Sequence, residues 1–154
     1  MYGYSSAGAI KLQIATNTTY LYGTGWLHLF TVWNTSTGLG KFYVNGVDKT
    51  ALTTCLDSNL DYTAANWSIG SATNGGYKLV GELCEVYVNL ATALDDPTKF
   101  ALGGKPISLA ADGSLPTGTA PILYHHSPFD VFGVNSGTGG NSTITGALAE
   151  GTPP

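Results

Sequence analysis

The residues able to do chemistry in this chain are few. Its 154 residues include ten acids, six lysines and three histidines, for a net charge of −4. Two glutamates, Glu82 and Glu85, stand close enough in sequence to suggest an acid–nucleophile pair. Double-displacement hydrolysis of a glycoside needs two carboxyl groups about 5–5.5 Å apart. On a strand only positions i, i+2 and i+4 share a face, and a spacing of three puts this pair on opposite faces. The remaining glutamate, Glu150, is in the tail. His125 and His126 are adjacent, so on a strand one is expected buried and the other exposed, and they do not share an ion. His28, inside an apolar stretch, reads as a core residue. No serine has a nucleophile signature around it. Cys55 and Cys84 are too few for a cysteine zinc site or a disulfide scaffold. They could form one disulfide; two unpaired thiols is the preferred reading. No catalytic or metal-ligating residue is assigned.

The nine tyrosines are the better candidates, because an aromatic ring can stack on the apolar face of a sugar. Tyr20, Tyr22, Tyr62 and Tyr77 fall in loop-like sequence. Tyr43 and Tyr87 are placed on the non-core faces of strands. Tyr22, Tyr43, Tyr62, Tyr77 and Tyr87 form the candidate glycan-binding set, against the plainer reading of surface packing or subunit contact.

The elements that must position these residues are strands. Charged residues are only 10% of the chain, against a usual share of about 25%. Polarity therefore comes from Thr, Ser, Asn and Gly, which suit strands and turns better than helices. Residues 9–15 alternate, with Ile10, Leu12 and Ile14 on one face. Residues 26–33 are apolar on both faces, which predicts a central strand covered on both sides. Residues 34–40 read as a loop, and Lys41 to Val44 as a strand leading into Asn45-Gly46, a type I′ hairpin signal. A short strand is expected at 66–70, a turn at 74–76 and an alternating strand at 82–90. One helical turn at 90–94 is expected to stop at Asp95-Asp96-Pro97. Beyond it the chain holds every proline it has, and strands are expected at 121–125 and 142–148. There is no internal repeat. Many short strands at this spacing predict an all-β, two-sheet sandwich or jelly roll.

Three segments in this order resemble one family. They are Trp26-Leu27-His28-Leu29-Phe30-Thr31-Val32, then Gly40-Lys41-Phe42-Tyr43-Val44-Asn45-Gly46-Val47, then Trp67-Ser68-Ile69-Gly70 with Gly81 to Val88 and Ala93-Leu94. The succession is similar to the concanavalin A-like, laminin G-like (LamG) domain. The run from Pro106 to Gly118, with Asn135 to Gly140 and Ile144 to Leu148, resembles the C-terminal part of LamG-like proteins of tailed bacteriophages. The resemblance implies one jelly-roll β-sandwich over 1–154. Residues 1–96 would hold the recognisable sandwich strands, and 97–154 a Pro/Gly-rich end. In that family the Tyr-Val-Asn-Gly hairpin usually lies well past the middle. Here it is at 43–46, so the first strands look missing. Either the chain is a fragment, or another chain supplies them by edge pairing.

The resemblance implies a non-enzymatic virion structural protein, such as a capsid decoration, tail or fibre component. The alternative is a lectin-like module that recognises a host surface glycan at the cell surface or outside it. Hydrolases of this fold carry a Glu-x-Asp-x-Glu signature that is absent, so an enzyme is not expected. Calcium is the one cofactor the family leaves open, and Asp57 with Asp61 or Asp95 with Asp96 are the only acidic groupings. Otherwise none is expected. The expected partners are other virion proteins or copies of the chain, in a homo-oligomer. Nucleic acid is rejected, because the chain has no arginine and its lysines are dispersed. An anionic membrane is rejected for the same reason. No apolar stretch is long enough to span a bilayer. The Asn-x-Ser/Thr motifs at Asn17, Asn34, Asn66 and Asn141 carry no weight in so Asn- and Thr-rich a chain.

Overall fold

The computed structural model describes residues 1–20, 25–63, 68–71, 76, 79–126 and 128–152. Those residues are almost entirely β and irregular, with two 3₁₀ turns. Strands β1 (Tyr2–Tyr4), β2 (Ile10–Ala15) and β6 (Leu52–Cys55) form one antiparallel sheet in the order β1-β2-β6. Strands β3 (Leu29–Asn34), β4 (Leu39–Val44) and β5 (Val47–Asp48) form a second, in the order β3-β4-β5. Strand β7 (Val86–Val88) pairs with β10 (Leu123–His125), and β8 (Ala101–Leu102) with β9 (Lys105–Pro106).

The alternation of residues 10–15 does what a period of two dictates. Leu12 and Ile14 are fully buried, and Lys11 and Gln13 between them stand half-buried on the other face. Ile10, predicted to join them, is exposed at the end of the strand. Asn45 and Gly46 take φ of 50° and 78°, the two positive angles that close a type I′ hairpin. Gly103-Gly104 repeats the device between β8 and β9, with φ of 60° and 81°.

The second sheet is packed against on both faces at β4, but β3 starts only at Leu29 and lies at the sheet's edge with Leu29 58% exposed, which corrects the central strand expected over 26–33. On one face a Cβ added at Gly40 would lie 2.8 Å from Thr53 Cγ2 and 3.4 Å from Ile14, and Thr53 Oγ1 donates to Gly40 O at 3.0 Å. On the other face Phe30 and Tyr43 are directly paired. Phe30 packs on Phe100, ring centroids 5.1 Å apart. Phe100, Leu109 and Tyr124 form the buried cluster on that side, with Tyr87, Leu94 and Ile107 packed around it.

Several expectations are corrected. No helical turn forms at 90–94. Asp95-Asp96-Pro97 starts a helical element instead: Asp96 accepts from the Thr98 amide, and Pro97 opens the 3₁₀ turn Pro97–Lys99, because proline lacks the N–H that a first turn leaves unpaired. The strand expected over 82–90 narrows to Val86–Val88. Residues 142–148 form no strand, and Ser68 to Gly70 form none. Asn66, Trp67, Asn74 and Gly75 lie outside the described residues. Strands β1, β6, β8 and β9 had no clear sequence signal.

Candidate functional site

Among the described residues the β3 strand is an edge of its sheet. Its partner β4 gives the pointing of each backbone group. Phe42 N donates to Thr50 Oγ1 at 2.8 Å, and Phe42 O accepts from Lys49 N at 2.8 Å, both away from β3. Thr31, opposite Phe42, must therefore point its own N–H and C=O away from β4, as must Leu29 and Trp33 by alternation. None of these groups has a partner among the described residues.

A cleft of 1470 Å³ runs along this edge. Every residue of β3 lines it, those of both faces alike, as happens at a strand's side rather than on its surface. Its far wall is residues 79–94, which contain β7. That strand is an edge too. Tyr124 N bonds Asn135 Oδ1 at 2.8 Å and Tyr124 O accepts from Ser136 N at 3.0 Å, away from β7. Tyr87, opposite Tyr124, then points its backbone groups away from β10, into the cleft side.

The rim is tied by the tail. Trp26 Nε1 donates to Thr152 O at 2.9 Å, and Thr152 N to Glu82 Oε2 at 3.2 Å. Trp33 Nε1 donates to the Tyr62 hydroxyl at 3.0 Å, so Tyr62, the one exposed candidate tyrosine among the described residues, is held against the cleft. His28 is half-buried there rather than in the core, and burial holds its ring below the ordinary histidine value. Burial also pushes Glu85 upward, against a smaller opposing pull from His126.

Among the described residues, Tyr43, Tyr62 and Tyr87 of the aromatic set do not form one exposed platform. Tyr43 was placed on a non-core face, and this is corrected: it is buried, 8% exposed. Its hydroxyl donates to Asp95 Oδ1 at 2.6 Å, while Lys41 Nζ donates to Asp95 Oδ2 at 2.8 Å. Burial pushes the Tyr43 phenol upward, helped by Asp95. Burial would raise Asp95 as well, but the bonds from Lys41 and Tyr43 outweigh it and hold the carboxyl below its ordinary value. Tyr87 is likewise moved off the surface, packing edge-on against Phe100 and Tyr124 at 5.0 and 6.0 Å. Phe30 and Phe100 create the inner side of β4 and β7, and their covering of a second sheet face was the signal missed. Tyr22 and Tyr77 lie outside the described residues.

The chemistry-bearing residues are occupied structurally. His125 is buried; its Nδ1 donates to Val134 O at 3.1 Å, leaving Nε2 to accept from Ser142 Oγ at 2.8 Å. His126 is exposed, bonded to Ser136 Oγ and stacked on Tyr124 at 4.3 Å. Burial and the Glu85 charge push Tyr124 up to about 12. Cys55 and Cys84 are unpaired, and burial raises both thiols, with Glu85 adding to the second. Glu82 and Glu85 lie outside any strand.

Three of the four carboxylates considered for calcium have partners of their own. Asp95 serves Lys41 and Tyr43, Asp96 caps the 3₁₀ turn, and Asp61 Oδ1 accepts from both Thr63 N and Thr63 Oγ1. Among the described residues no three His, Cys, Asp or Glu side chains converge.

The chain matches no protein-family model, no curated protein and no solved structure. Among the described residues the site consists of the two backbone edges and the cleft that they line. No helix among the described residues is long and apolar enough to cross a membrane.

Proposed function

We propose that this chain is a non-enzymatic structural component of a virion, such as a capsid decoration, tail or fibre protein, built as a LamG-like jelly-roll sandwich. It works by packing against copies of itself or other virion proteins. The observation that carries the reading is the apolar surface. Val80 is 82% exposed, Leu102 71%, Leu115 67% and Leu29 58%, on a chain whose charged residues are too sparse to keep such side chains apart. The phage-like sequence of the C-terminal part supports the virion setting.

Light scattering at several protein concentrations tests it. A particle of several times the 16.0 kDa chain mass, unchanged on dilution, is expected. A compact monomer at high concentration would sink the proposal.

Tyr62 favours a second reading, a glycan-binding module. It stands exposed at the cleft, bonded to the Trp33 indole. On that reading a glycan array gives a signal that Tyr62→Ala abolishes, and a blank array with and without calcium removes it.

A further inference from the structure

We infer that the cleft between β3 and β7 is a slot for one extended polypeptide strand supplied by a second chain. The inference rests on the assembly reading above and says how that assembly is made.

Two strand edges open onto one cleft. Leu29, Thr31 and Trp33 present from β3 N–H and C=O groups that have no partner among the described residues, and Tyr87 presents its own from β7. Backbone groups alternating along an edge are matched by another polypeptide backbone and by little else. A sugar or small molecule would satisfy one or two; a strand satisfies the row.

The two edges also lie side by side rather than stacked. Phe30 of β3 and Tyr87 of β7 pack on the same Phe100 ring, with centroids 5.1 and 5.0 Å away. Both sheets thus turn the same face to the Phe100–Leu109 cluster. A strand entering between them continues both, giving the order β5-β4-β3-guest-β7-β10. The space is of the right size. A six-residue strand is about 20 Å long, about 4.8 Å wide and about 10 Å deep with its side chains, or roughly 1000 Å³. The cleft offers 1470 Å³.

The guest's chemistry follows. One of its faces meets the aromatic cluster, so alternate residues are apolar; its backbone does the pairing on both sides. This is edge capture of the kind that leaves a sheet edge aggregation-prone until it is filled.

The test uses the whole chain and a library of nine-residue peptides carrying Val, Ile, Leu or Phe at alternate positions and Thr or Ser between. Selection is expected to enrich alternating sequences. Binding of an enriched peptide should slow hydrogen exchange at the Leu29, Thr31, Trp33 and Tyr87 amides together. Thr31→Pro removes one edge-facing N–H that the β3–β4 pairing does not use, a position where proline is tolerated. It should weaken peptide binding at least tenfold. The exchange measurement on the unmutated chain decides the matter even if that variant does not fold. No enrichment, or binding that leaves those four amides unchanged, overturns the slot. A concentration-insensitive oligomer whose mass Thr31→Pro leaves intact would keep the assembly reading and discard the slot. A monomer that binds peptide at these amides would do the reverse.

Discussion

Asp95 is the residue on which two others depend. It accepts from the buried Tyr43 hydroxyl and from Lys41, in the only ion pair among the described residues. Asp95→Ala leaves that hydroxyl without its acceptor, so a loss of about 1–3 kcal/mol at neutral pH is expected in urea unfolding. The pH dependence has a fixed sign. The folded carboxyl titrates below its ordinary 3.8, so its stabilisation is present above that value and is lost as pH falls through the lower, folded one. Asp95→Asn carries no such titration, and the two acid-unfolding curves should converge as the pH falls well below 3.8. Curves that stay parallel over that fall would show that Asp95 contributes no linked proton. Gly113 sets a second local requirement. Its φ is +75°, and a Cβ there would lie 2.9 Å from the Tyr124 ring and 3.1 Å from Pro121 Cδ. Gly113→Ala meets both a left-handed backbone and a filled space, and should cost about 2–4 kcal/mol. An unchanged urea midpoint would mean that the turn and Tyr124 are not packed this way.

At the scale of elements, legibility followed whichever signal was local. The Asn45-Gly46 hairpin and the Leu12/Ile14 face are written in dipeptide chemistry and a period of two, and both formed. The apolar stretch 26–33 did form a strand, but only from Leu29 and at the edge of its sheet rather than in its middle, because a strand's own residues do not say which strands pair beside it. What failed depended on long-range partners. Residues 142–148 alternate like a strand but find no edge to join. Asp95-Asp96-Pro97 reads equally as the stop of one helical turn or the start of the next, and only the Thr98 amide decides. The non-core placing of Tyr43 and Tyr87 failed because the covering layer, Phe100 and Leu109, comes from turn-rich sequence whose packing no periodicity announces. The cleft is least legible of all, since backbone edges carry no side-chain signature. The packing of the first sheet on the second is testable at one glycine. A Cβ on Gly40 would lie 2.8 Å from Thr53 Cγ2. Gly40→Ala should therefore destabilise by about 1–3 kcal/mol. Adding Thr53→Ser, which removes that methyl and keeps the hydroxyl bonded to Gly40 O, should recover at least half. Additive losses in the double variant would separate the two sheets.

For the whole molecule the deciding quantity is the balance between apolar exposure and charge. With ten acids and six lysines spread over 154 residues, little electrostatic repulsion opposes contact, and salt has few charges to screen. Association driven by apolar burial should then keep its particle mass between about 0.05 and 0.5 M salt, since screening acts on charges and not on buried area. It should instead be sensitive to charge placed on the contact itself. Leu102, in β8, and Leu115, in the turn after Leu109, expose most of their side chains. A lysine at either gives up little intramolecular packing, so the unfolding midpoint should move by less than about 0.5 kcal/mol. If these side chains add contacts outside the cleft, Leu102→Lys with Leu115→Lys lowers the scattering mass, while the strand slot and its edge-facing amides stay as they were. An assembly that survives both lysines yet dissolves in salt would be held by charge, and the apolar account of this surface would have to be given up.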